Sequence, residues 1–143
     1  MVSNFNQRII DEFRGNAGKV GPPFEGAPIV LLTSKGAKSG RPHTTPLVYM
    51  HDEENRDRIY VFASMGGAPK NPAWYHNLRA NPEATAEVGT DRYPVRATIT
   101  SGEERDRLFE KQASRFPQFG QYQQNTKRTI PVVALERTEA GAG

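Results

Sequence analysis

Apolar residues fall at Phe5, Ile9, Ile10 and Phe13, the spacing of one helical face, and predict an amphipathic helix from near Ser3 to just before Gly15. The stretch 15–28 is rich in Gly and Pro and predicts a connecting loop. Aromatic and β-branched runs at 28–34 and 57–64 predict buried strands. Residues 43–50 predict a strand between them, with Pro46 at a bulge or an edge. The acidic stretch Asp52–Asp57 then forms the exposed turn. Further on, Asn71 is a suitable N-cap and Pro72 a suitable first residue for a short helix that Asn81-Pro82 stops.

Two more strands are predicted at 83–89 and 92–100, where Tyr93, Val95, Ala97 and Ile99 alternate with Arg96, Thr98 and Thr100. Ser101-Gly-Glu-Glu104 has capping-box spacing and opens a helix through about Ser114. Phe116, Phe119 and Tyr122 follow; Pro117 and Gly120 interrupt any regular core helix there and favour a shaped lid or pocket wall. Residues 130–136 predict a closing strand and 137–143 a flexible tail. With no βα alternation and no repeat, the pattern predicts one mainly β domain, a small antiparallel barrel surrounded by helices. Its parts are an N-terminal helix and linker (1–25), a barrel core (26–136) and the tail (137–143).

The 143 residues suffice for one domain with a modest core, since 36% are hydrophobic. No run is long enough to span a membrane, and the opening Met1–Asn6 lacks a secretory pattern, so a cytoplasmic location is expected. The helical apolar stripe is short, which makes packing on the barrel the expectation over membrane association. Cys is absent, excluding disulfides and thiol nucleophiles, and His43, His51 and His76 lack metal-ligand spacing. A net charge of +3 is too small for a nucleic-acid-binding field.

The location of that charge is more informative. Gly26 to His51 contains no Asp or Glu, while Lys35, Lys38, Arg41 and His43 crowd one glycine-punctuated turn. Such a turn suits a small anion such as a phosphate or carboxylate; an ordinary solvated hairpin is the alternative. It is neither a Walker A loop nor a dinucleotide fingerprint. A second small-residue segment, Ala63-Ser64-Met65-Gly66-Gly67, lies between a strand end and a helix start. It would let a flat ligand lie against backbone while the Ser64 hydroxyl reaches a polar edge. Trp74 and Tyr75 suit a core more readily than a ligand stack. No catalytic triad is present, so any chemistry is borrowed from a cofactor.

The strings Leu31–Pro42, Thr45-Pro46-Leu47, Ala63–Gly67, Asn71–Pro82 and Arg128–Val132, in this order, resemble the deazaflavin-dependent nitroreductase family of actinobacteria, which use coenzyme F420. The resemblance implies a split antiparallel β-barrel akin to FMN-binding oxidoreductases, with two or three helices besides the N-terminal one. It implies that Lys38, Ser39, Gly40 and Arg41, with Pro42 and His43, hold the phosphate and glutamate tail. Leu32, Thr33, Ala63, Ser64, Met65, Gly66 and Gly67 would flank the deazaflavin, and Asn71, Trp74 and Asn77 would support the groove. Val48, Trp74, Phe116, Phe119 and Tyr122 would face the substrate, with Ser64 and Tyr122 polarising its carbonyl.

The chain departs from the family pattern at Ala37, where a cation is usual, at His43 for an arginine and at Met65 for a lysine. Phe119 stands where the prodrug-activating member has a tyrosine, and Val48 makes the pocket more apolar. The implied activity is hydride transfer from reduced F420 to an enone, an unsaturated lactone of coumarin type or a quinone, with nitroaromatics disfavoured. A non-catalytic F420 carrier and an FMN-binding split barrel are the alternatives. The expected partner is a small-molecule substrate, and the expected state a monomer or weak homodimer.

Overall fold

A computed structural model describes residues 4–21, 24, 26–64 and 67–138. Helix α1 (Asn4–Gly15) precedes β1 (Ile29–Lys35), β2 (Pro42–His51) and β3 (Arg58–Phe62). There follow α2 (Ala73–Ala80), β4 (Glu83–Val88), β5 (Asp91–Ile99), α3 (Gly102–Arg115), α4 (Gln118–Gln124) and β6 (Val132–Arg137). The strands close into an antiparallel barrel in the order β1-β2-β3-β6-β5-β4. Residues 139–143 of the expected tail lie outside the described residues, and Arg137 still belongs to β6.

Alternation along the strands sorts the side chains into two layers. Val30, Leu32, Tyr49, Val61, Val95 and Leu135 fill the barrel, and Trp74, Tyr75 and Leu78 of α2 join the same cluster. On the outer face, Phe62, Val132 and Ala134 meet Leu108 and Phe109 of α3 and Phe119 of α4. The apolar stripe of α1 packs against Ile29 and Leu31, burying Ile9, Ile10 and Phe13, whereas Phe5 remains 44% exposed. Ile99 ends its alternating strand in solvent.

The feature that positions the site is a parting between two strands. Strand β2 pairs with β1 from Pro42 to Val48, but with β3 only from Tyr49 to His51. The Tyr49 N–H donates to the Pro28 carbonyl, which puts the odd residues of β2 in the bonded set. Pro46 therefore turns its nitrogen away from β1, toward the stretch that β3 leaves unpaired. That is the edge-like setting a strand proline needs.

Three local expectations shift. Asn71 does not cap α2; Pro72 occupies the N-cap position, and no side chain caps the helix. Likewise Ser101 precedes α3 without closing a capping box. The aromatic segment forms a short helix, α4, with Phe119 buried, despite Pro117 and Gly120, and its Phe119 and Tyr122 serve as pocket wall.

Candidate active site

The β1–β2 connection folds back on itself. The Gly36 N–H donates to the Arg41 carbonyl at 2.8 Å, and the Gly40 N–H to the Gly36 carbonyl at 3.0 Å. The Arg41 N–H is met by Ser39 Oγ at 3.1 Å. Gly40 closes the turn at a φ of +71°, a conformation that favours glycine, and a Cβ at Gly36 would meet Ser39 Oγ at 2.5 Å and His43 Nε2 at 3.0 Å, so those side chains would have to give way. Lys35, Lys38 and Arg41 are exposed and form no ion pair among the described residues. This clears the cations for an outside anion.

One hydrogen bond ties this turn to the pocket. Asn77 of α2 is buried, and its Oδ1 accepts the Ala37 N–H at 3.0 Å. One turn back along α2, Pro72, Ala73 and Trp74 line a pocket of about 430 Å³ at the parting of β2 and β3. Three residues of helix advance about 4.5 Å, so a single α2 face runs from pocket to cationic turn. The opposite wall is β2 itself, through Thr45 to Val48.

Ser64, Val48, Trp74, Phe119 and Tyr122 are brought together in this pocket. Phe119 and Tyr122 stack edge to face at 5.4 Å, while Phe116 lies behind Phe119 at 6.4 Å and does not line the pocket. Gly67 explains the join between the Ser64 segment and α4. Its φ is +84°, and a Cβ would sit 2.7 Å from the Tyr122 carbonyl oxygen. Met65 and Gly66 lie outside the described residues.

Other expected site residues are placed elsewhere. Leu32 and Ala63 are fully buried in the barrel core, so their side chains do not reach the pocket; only their backbone could meet a ligand. Thr33 shares a 2.7 Å hydroxyl–hydroxyl bond with Thr44 and lines a separate groove of about 370 Å³ with Lys35, Gly40 and Pro42. Asn71 and Asn77 act as supports, since both side chains bond the protein.

Arg128, for which the sequence pattern indicates no role, organises the whole segment. Its guanidinium donates to the carbonyls of Ala63 (3.1 Å), Ser64 (2.8 Å) and Ala68 (2.8 Å), and to Asn71 Oδ1 (2.7 Å). Gln123 of α4 completes the frame, donating to the Arg128 carbonyl at 2.7 Å and accepting from Arg105 at 2.7 Å. The only signal was its place in the Arg128–Val132 string, because the acceptors are about sixty residues away.

The family model for F420H(2)-dependent quinone reductases matches residues 6–137. The chain belongs to that family. It is an oxidoreductase family that takes coenzyme F420 as reductant, and FMN is not needed to account for the site. An F420H(2)-dependent quinone reductase of Mycobacterium tuberculosis is 41% identical over 132 residues, covering 87% of this chain and 85% of the relative. A solved F420H2-dependent reductase, FDR-A, is 37% identical with a TM-score of 0.68, covering 76% of this chain and 94% of that one. A domain-swapped dimer matches with the same identity and TM-score, covering 76% and 80%. The heme storage protein HutZ of Vibrio cholerae, 15% identical at TM-score 0.58 over 90% and 87% of the chains, shares the fold alone.

The donor set suits the family's cofactor. Uncompensated cations and a glycine-closed turn stand at one end, and a largely apolar pocket with one serine and one tyrosine hydroxyl stands at the other.

Proposed function

We propose that the protein reduces quinones with F420H2, and that activated C=C bonds of enones or coumarin-type lactones are further acceptors while nitroaromatics are poor ones. The observation that carries this reading is the α2 face joining the Asn77-anchored turn to the Ser64–Tyr122 pocket. The chemistry a bound F420H2 supplies is a hydride, with a solvent proton completing reduction of quinone to quinol.

The chain's own residues bind, orient and exclude water. Lys38 and Arg41, with Ser39, Gly40, Pro42 and His43 around them, hold the phosphate and carboxylates of the tail. Ser64 and Gly67 border the ring. Val48, Trp74 and Phe119 form an apolar wall that suits a flat acceptor, and the Tyr122 hydroxyl donates to an acceptor carbonyl as negative charge develops on it. Phe119 offers no hydroxyl, which disfavours nitro groups that need a second donor.

The reading includes a cytoplasmic protein that is monomeric or weakly dimeric. No described helix is long and apolar enough to cross a membrane. Oxidation of F420H2 followed with a benzoquinone, a coumarin-type lactone and a nitroaromatic tests the assignment. Protein-dependent loss of the reduced form, fastest with the quinone, is expected. Tight binding without acceptor-dependent oxidation would make the protein a carrier.

A further inference from the structure

Arg128 differs from the other well-anchored guanidiniums of this protein. Arg14 pairs with Glu87, Arg58 with Asp52 and Glu136, and Arg105 with Asp106. Arg128 is held only by neutral acceptors, three carbonyls and one amide, and has no ion pair among the described residues. Burial alone pushes its pKa down, with no carboxylate offsetting the loss of water.

Neutral acceptors orient a cation without cancelling its charge. Were the role only to pin the segment, a carboxylate at position 71 would hold the fork more strongly. Arg128 does not line the pocket itself, but it grips the carbonyl of Ser64, which forms part of the pocket wall, at 2.8 Å, so its charge stands directly behind that wall. Partly buried charges are screened far less than exposed ones. Among the other cations close in chain or contact, Lys127 and Lys70 are exposed, and Arg105, which reaches Arg128 through Gln123, pairs with Asp106 at 2.9 Å.

We propose that Arg128 is a positioning residue with an electrostatic duty: its fork sets the Ser64 segment, and its uncompensated charge favours the anionic form of the deazaflavin ring. The inference rests on the F420 reading above. The two duties separate by mutation. Asn71→Asp keeps an oxygen acceptor for the fork and supplies the missing negative charge. Arg128→Lys keeps the charge and removes the fork.

The experiment is a pH titration of the visible absorption of oxidised F420 bound to each protein, which reports ionisation of its acidic ring hydroxyl. Thermal unfolding of the ligand-free proteins is measured alongside. In Asn71→Asp the bound hydroxyl should ionise at higher pH, so that affinity for the anion falls roughly threefold to tenfold, with thermal stability kept or raised. Arg128→Lys should unfold at lower temperature, yet its bound cofactor should titrate closer to wild type than that of Asn71→Asp. An unmoved titration in Asn71→Asp, with normal wild-type binding, overturns the electrostatic duty alone. Failure of the wild type to bind F420 overturns the F420 reading and this inference with it.

Discussion

The amide of Ala37 donates to Oδ1 of Asn77 at 3.0 Å, joining the tip of the cationic turn to the buried face of α2. The contact spans forty residues of sequence. It makes the geometry of an exposed loop depend on the helix that also lines the pocket. Asn77→Ala should therefore weaken F420 binding several-fold while costing about 1 kcal/mol of stability, the usual net worth of one hydrogen bond. Fluorescence titration and urea unfolding of the same variant read the two effects. Unchanged affinity would mean the turn holds its shape without α2.

Gly67 should tolerate no side chain. Gly67→Ala combines a positive φ with a Cβ 2.7 Å from the Tyr122 carbonyl oxygen, so α4 or the Ser64 segment must move. A loss of about 1–3 kcal/mol is expected, accompanied by a drop in kcat larger than any rise in the KM for quinone. Wild-type stability and turnover would show that the join is loose.

Gln112 on α3 is fully buried, and neither atom of its amide has a partner among the described residues. Replacing an orphaned amide by an apolar group of similar shape removes a desolvation cost. Gln112→Met should raise stability by about 1 kcal/mol and leave F420 affinity unaltered, because the residue does not line the pocket. A destabilised variant in urea unfolding would contradict the prediction.

Asp52 contributes to the acid limb of stability. Its carboxyl is held below the ordinary value of 3.8, chiefly by the Tyr60 hydroxyl at 2.5 Å, with the Glu54 and Asn55 N–H groups and Arg58 assisting. Because the folded pKa is depressed, the contribution is complete above the unfolded value of about 3.8 and is lost as pH falls through the lower folded value. Tyr60→Phe should therefore lower stability most at neutral pH and least below the folded value, flattening the acid limb and moving its midpoint to higher pH. Circular dichroism against pH would register the shift. An identical acid midpoint would remove Tyr60 from the account.

Periodic signals carried through from sequence to structure. The stripe of α1, the alternation of β5 and the turn residues around Asp52 fix element type locally, and the barrel follows once no βα units occur. Caps were less legible. Asn71 reads as an N-cap, but Arg128 claims its side chain from across the fold, and a long-range guanidinium outcompetes a local backbone N–H. The pocket was legible in Ser64, Trp74 and Tyr122 because small and aromatic residues flank the strand end. Arg128 was not, because its four acceptors are separated from it by 57 to 65 residues, and no local pattern encodes such a fork. Leu32 and Ala63 adjoin site residues in the chain, yet alternation along β1 turns Leu32 inward and Ala63, just past the end of β3, is buried in the same cluster.

The central claim is that the cationic turn and the Ser64–Tyr122 pocket are two ends of one cofactor groove. It is tested most directly by dissociation constants for F420 and for its deazaflavin chromophore without phosphate and glutamates, measured with wild type and Lys38→Ala. Wild type should bind F420 much more tightly than the bare chromophore, and Lys38→Ala should weaken F420 by roughly threefold to tenfold while leaving chromophore binding unchanged. Equal losses for both ligands, or none for either, would contradict the assignment of the turn to the tail.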